Sequence, residues 1–144
     1  MKSTVQSEKK RHGFTLVELA VVIVIIGVLA AFGIPRFLKA VERSKAAEAF
    51  AYLSAVRSAQ ERYQARQGTY ADDLTKLDID QSTPKYFDVG TMSADETSWS
   101  LTLTRKAGSS GYGQYTVTYT QEGLDTDHST VADADHTAIN PMSN

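Results

Sequence analysis

The chain contains no cysteine among its 144 residues, which removes disulfide staples, thiolate metal sites and thiol nucleophiles together. It has only three histidines, one of them at position 12, no glycine-rich phosphate loop and no nucleophile elbow around a serine, so the residues that usually carry catalysis are missing. Proline is scarce too, at three residues. A domain of this size without cross-links must close by side-chain packing, strand pairing or a bound metal, because small domains hide a lower fraction of their surface than large ones. These absences point to a structural or binding protein, not an enzyme.

What the chain does have is unevenly placed charge. The net charge of −2 conceals +3 over residues 1–13, +4 over residues 36–67 and −8 over residues 68–144, the last from four basic and twelve acidic residues. A basic stalk with an acidic head is poorly suited to duplex nucleic acid, and no nucleic-acid partner is predicted. The stalk alone could touch phosphates or lipid head groups, although its charges fit a solvated helix face better.

Between Phe14 and Ile34 the only polar side chains are Thr15 and Glu18. That length matches the roughly 20 residues needed to cross a bilayer as a helix. An ordinary secretory signal, cut near Ala30 or Ala31, is the competing reading, opposed by Glu18 inside the apolar run and by the continuation of that run through Phe32-Gly33-Ile34. Basic residues flank the span equally on both sides, so charge alone leaves its orientation open. Gly27, Gly33 and Pro35 make residues 27–35 its weakest helical part, with a kink expected at Pro35; Gly27 and Ala31 also form a small-xxx-small pair that would let helices approach closely.

After Pro35, Phe37, Leu38, Val41, Ala46, Ala49, Phe50, Leu53, Val56 and Tyr63 recur at helical spacing, predicting an amphipathic helix to about Gln67 with Gly68 as its stop. One bent helix over residues 14–67 would be roughly 80 Å long. A short turn is expected to place Leu74 and Leu77 on the core. Alternation of Trp99, Leu101 and Leu103 with polar residues, and of Tyr115, Val117 and Tyr119 with threonines, predicts two antiparallel strands, with a third around Tyr86 to Val89. The fold class is α+β: a long bent N-terminal helix, its first half membrane-spanning, packed on a small antiparallel sheet.

The junction Gly13-Phe14-Thr15-Leu16-Val17-Glu18, preceded by Lys9-Lys10-Arg11-His12 and followed by the apolar run, resembles the processing site of type IV prepilins and the related pseudopilins of type II secretion. The resemblance implies a leader, residues 1–13, removed between Gly13 and Phe14 by a prepilin peptidase; methylation of the new Phe14 amino terminus; a membrane or filament-core helix over 14–35; an amphipathic helix over 36–67; and a β-rich head over 68–144. It implies insertion in the inner membrane with the leader in the cytoplasm, then packing into a homo-oligomeric helical filament through an assembly platform. Glu18 would pair with the amino terminus of an adjoining subunit, and the stretch from Gly27 to Pro35 would lose helical order on assembly. A cell-surface pilus subunit is the function expected. The alternatives are a subunit of a periplasmic pseudopilus and a signal-anchored binding domain that does not polymerise. Many type IVa pilins close their C-terminal region with a disulfide, a feature this sequence lacks.

The tail holds a short repeat, Asp125-Thr126-Asp127-His128 and Asp133-Ala134-Asp135-His136. Clustered carboxylates suit calcium, and adding histidine suits a transition metal. Major pseudopilins carry a calcium site in this region, which makes Asp125, Asp127, Asp133 and Asp135 candidate ligands. No EF-hand spacing is present, so the expectation is a solvated acidic loop and no cofactor.

Overall fold

Thr15 stands at the mouth of one helix, α1 (Leu16–Gln67), which runs through Pro35 without interruption. The structure is a computed structural model and describes residues 13–108 and 111–143. The predicted leader, apart from Gly13, lies outside the described residues, as does part of the expected turn at Ala107 to Gly113. The chain divides into two units between Arg36 and Phe37.

In the first unit, every large apolar side chain from Phe14 to Ile34 is at least 45% exposed. Burying one such side chain is worth about 1.5–3 kcal/mol, so a continuous apolar surface of this size in water would drive association. The segment is long and apolar enough to cross a membrane.

The second unit contains the core. Its part of α1 buries Ala46, Ala49, Phe50, Tyr52, Leu53, Val56 and Ala59 in one cluster with Phe87, Trp99, Leu101, Leu103, Tyr115, Val117 and Tyr119 of the sheet region. Phe50 and Tyr119 meet edge to face at 6.1 Å. The apolar stripe read from the sequence begins too early: Phe37 and Leu38 are exposed, and burial starts only around Val41 and Glu42. Gly68, at φ 79°, ends the helix in the left-handed conformation that an L side chain resists. Buried Gln60 then ties the next segment down, accepting from the Ala71 amide at 2.8 Å and donating to the Ala71 carbonyl at 2.7 Å. Beyond it a 3-10 turn (Leu74–Lys76) is capped by Asp73, and Leu77 is buried as expected.

The sheet is antiparallel throughout. Its centre is β3 (Trp99–Arg105), paired on one side with β1 (Phe87–Val89) and β2 (Ser93–Ala94), and on the other with β4 (Thr116–Thr120), which pairs in turn with β5 (Gly123–Leu124). Strand β3 alternates as predicted, with Trp99, Leu101, Leu103 and Arg105 buried. Between β1 and β2 the backbone of Gly90 donates to the Thr102 carbonyl, and a Cβ there would lie 2.7 Å from that oxygen, so the close approach requires glycine.

Strand β4 breaks the alternation, because Thr118 is buried beside Val117 and Tyr119. The tail explains this. Ser129 Oγ accepts from the Thr118 amide at 2.8 Å, and Thr130 Oγ1 accepts from the Thr116 amide at 2.8 Å, so side chains satisfy the strand edge that β5 is too short to cover. Val131 and Ile139 are fully buried. The C-terminal segment is therefore a packed edge cover rather than a purely solvated loop.

The turn between β2 and β3 is held by Asp95, whose Oδ1 accepts from the amides of Thr97 and Ser98, both at 2.7 Å. With the two hydroxyls these donors lower its carboxyl from 3.8 to about 2. A depressed carboxyl stabilises the fold while ionised, so this contribution is full above the unfolded value of 3.8 and lost as pH falls through about 2. In Asp95→Asn, stability measured by denaturant titration is expected to fall less steeply between about pH 4 and pH 2 than in the parent chain.

Candidate functional site

At the entrance to α1, Glu18 Oε2 accepts from the Thr15 amide at 2.8 Å and from Thr15 Oγ1 at 2.9 Å, while Thr15 Oγ1 accepts from the Glu18 amide at 3.1 Å. This is a reciprocal capping box, in which the first turn's unpaired amides are satisfied by the two side chains. The pattern Thr15-Leu16-Val17-Glu18 carries the signal in the sequence, a Thr followed three residues later by a Glu before an apolar run. The carboxylate therefore enters the apolar segment already bonded on one oxygen. Oε1 has no hydrogen-bond partner among the described residues.

Gly13 and Phe14 precede the helix and are exposed. Gly27, Gly33 and Pro35 all lie inside α1. A Cβ placed at Gly27 or Gly33 would meet nothing within 4 Å. Among the described residues no close neighbour therefore requires their small size, and glycine costs a helix interior about 1 kcal/mol relative to alanine.

In the head, the most constrained chemistry is a buried ionic cluster. Glu42 of α1 is fully buried and accepts from Arg105 Nε at 2.6 Å, Arg105 Nη2 at 3.2 Å and the Tyr115 hydroxyl at 3.0 Å. Arg105 Nη1 donates onward to the carbonyls of Tyr86 and Lys106. The guanidinium thus joins the helix, the segment leading into β1 and the end of β3. Hydrogen bonding to Glu42 raises the Arg105 pKa, and burial together with the nearby Glu42 charge pushes the Tyr115 phenol up, so both groups keep their donor protons.

The candidate metal ligands do not converge. Asp125 Oδ1 accepts from the Asp127 and His128 amides, and His128 Nδ1 lies 2.9 Å from Asp125 Oδ2. Asp127, Asp133 and Asp135 are exposed, and His136 Nε2 is turned to the Tyr112 carbonyl at 2.9 Å. Among the described residues, no three His, Asp or Glu side chains are grouped to hold a metal ion. Thermal melts with calcium and with EDTA are expected to coincide; a calcium-dependent rise in Tm would restore the site.

An exposed apolar helical segment entered through a capped carboxylate, and a helix packed on a small antiparallel sheet, define an α+β chain with a segment long and apolar enough to cross a membrane. Residues 9–34 match the family model of the prokaryotic N-terminal methylation motif, and residues 35–131 match that of the type IV minor pilin ComP, DNA uptake sequence receptor. The chain belongs to the type IV pilin family. It is 37% identical over 103 residues to the type IV wide pilus major component PilA4 of Thermus thermophilus, covering 69% of this chain and 78% of that one. To the fimbrial protein EcpC of Eikenella corrodens it is 35% identical over 98 residues, 67% of this chain and 64% of the relative. With the type IV major pilin protein PilA of Myxococcus xanthus it shares 44% identity over 68 residues, 47% of this chain but only 31% of that longer protein. The chain thus spans less than two thirds of the length of the last two relatives.

Proposed function

We propose that this chain is the structural subunit of a type IV pilus. It is inserted in the inner membrane as a single-pass precursor, trimmed between Gly13 and Phe14 by a prepilin peptidase, methylated on the Phe14 amine and packed through residues 14–35 into a surface filament by an assembly platform. The observation that carries this reading is the uncovered apolar surface from Phe14 to Ile34, placed directly after the junction and retained by a cut in front of it. Glu18 supplies the assembly contact: Oε2 is held by Thr15, and Oε1 is left for the cationic amine of an adjoining subunit. The weak stretch from Gly27 to Pro35 unwinds as that contact forms.

The ComP description names a DNA uptake sequence receptor. In this chain the head's four basic residues against twelve acidic ones support a structural role over capture of duplex DNA. Nothing in this function calls for catalysis or a cofactor.

Mass spectrometry of the mature subunit tests the processing step. The expected amino terminus is methylated Phe14. A mature chain beginning near Phe32 would mean that the apolar segment is discarded, and the proposal would fail.

A further inference from the structure

Two of the head's four basic residues, Lys85 and Arg105, stand over the ring of Tyr86 together with Lys45 of α1, and a third, Lys106, is tied to the same segment through the backbone carbonyl of Tyr86. Lys45 Nζ lies 5.2 Å, Lys85 Nζ 5.6 Å and Arg105 Cζ 5.6 Å from the centre of the Tyr86 ring. Lys106 Nζ donates to the Lys85 carbonyl at 3.1 Å. The acids close by are already engaged. Glu42 holds Arg105 and lies 3.4 Å from Lys45, and the two oxygens of Glu48 accept from the Lys85 and Tyr86 amides.

What remains for solvent is the Lys85 ammonium, with no carboxylate at ion-pair distance among the described residues, Lys106 with Asp88 at 3.7 Å, and the Tyr86 ring, 36% exposed. A groove of about 370 Å³ lined by Val41, Ser44, Lys45, Glu48 and Tyr86 opens beside it. Cations flanking an accessible aromatic ring suit an acidic peptide surface.

The chain carries such a surface elsewhere. Residues 119–144 contain five Asp or Glu and no Lys or Arg. Asp125 is engaged by His128, but Asp127, Asp133 and Asp135 are exposed and unpaired among the described residues. The loop bearing them is fixed to β4 through Ser129 and Thr130. Lys85 on one face and Asp127, Asp133 and Asp135 on the other thus have no ion-pair partner within their own head among the described residues, while Lys106 is held only by Asp88 at 3.7 Å.

We propose that the acidic loop 125–135 of one copy docks on the Lys85, Tyr86 and Lys106 surface of a second copy. The inference rests on the filament reading, since a contact between two different faces, repeated from copy to copy, builds an open helical array instead of a closed dimer. Exposed charges form the contact, so it weakens with salt.

The absence of cysteine makes the test clean. In the full chain, Lys85→Cys is combined with Asp127→Cys in one variant and with Asp133→Cys in another; sheared filaments are oxidised and run without reductant. A ladder of disulfide-linked multimers is expected from at least one pair, and none from a like-charged control pair that combines Asp133→Cys with Asp72→Cys, an exposed residue paired with Lys76 at the 3-10 turn. Filaments of normal appearance with no ladder from either pair would overturn the contact and leave the filament reading standing. If the unsubstituted chain made no filaments, the filament reading itself would fall. In a second arm, Lys85→Glu with Lys106→Glu is expected to lower filament recovery by about tenfold, and adding Asp127→Lys, Asp133→Lys and Asp135→Lys to restore it. Failure of the combined reversal to restore recovery would count against the pairing.

Discussion

Replacing Glu18 by alanine is expected to remove surface filaments while leaving the membrane-inserted subunit at normal abundance. The substitution deletes two functions of one side chain. As the third residue of α1 it satisfies the Thr15 amide and hydroxyl, a cap worth about 1 kcal/mol. As the proposed partner of a neighbouring amine it neutralises a charge in an apolar filament interior, where stripping one member of an ion pair costs about 3–5 kcal/mol. The second effect is the larger, and it recurs at every subunit. Two further variants separate them. Glu18→Gln keeps a cap-competent side chain but no charge, so filament yield, scored by shearing and immunoblotting, should fall almost as far as with alanine. Thr15→Val keeps the branched shape but removes the hydroxyl, and should lower yield only modestly. Wild-type yield from Glu18→Gln would show that capping alone is the residue's task.

Substituting Glu42 is expected to be the most damaging single change in the head. Glu42→Ala would leave Arg105, 3% exposed, without its counter-charge and Tyr115 without its acceptor. Breaking a buried pair by removing one partner costs about 3–5 kcal/mol, a large part of the about 5–15 kcal/mol that holds an ordinary domain together. For a head of this size that corresponds to a drop in Tm of more than about 10 °C. Trp99, the only tryptophan and 2% exposed, provides the signal: its emission should shift to the red at a lower temperature in detergent-solubilised full-length chain. The combined variant Glu42→Leu, Arg105→Met and Tyr115→Phe should recover much of the loss, because an apolar replacement of a whole ionic cluster leaves no stranded charge. An unchanged Tm in Glu42→Ala would show that water already solvates the cluster.

How far the sequence reveals these features depends on whether their cause is local. Gly68 as helix stop, the alternation of β3 and the apolar run after Phe14 are each set by residues adjacent in the chain, and the structure places them where the pattern predicts. The Glu42 to Arg105 pair joins residues 63 apart, and no spacing rule links an acid within a charged helix face to the end of a strand. The buried face of Thr118 was hidden for a similar reason. Its cover, Ser129, comes from an acidic tail whose composition suggests solvent, while its two core residues, Val131 and Ile139, are too few to form a periodic pattern. At the helix entrance the capping box is readable from the sequence, yet the same four residues also carry the processing-site resemblance, and the carboxylate's local partner is easily overlooked beside its proposed distant one.

The apolar segment, the capped carboxylate and the head's charged faces all make sense if copies of this chain polymerise outside the inner membrane. Electron microscopy of cells labelled with gold-conjugated antibody against residues 68–144 tests that claim most directly. Long surface filaments decorated along their length are the predicted result. Label confined to short periplasmic fibres would indicate a pseudopilus, and label dispersed over the membrane with no filament would contradict polymerisation altogether.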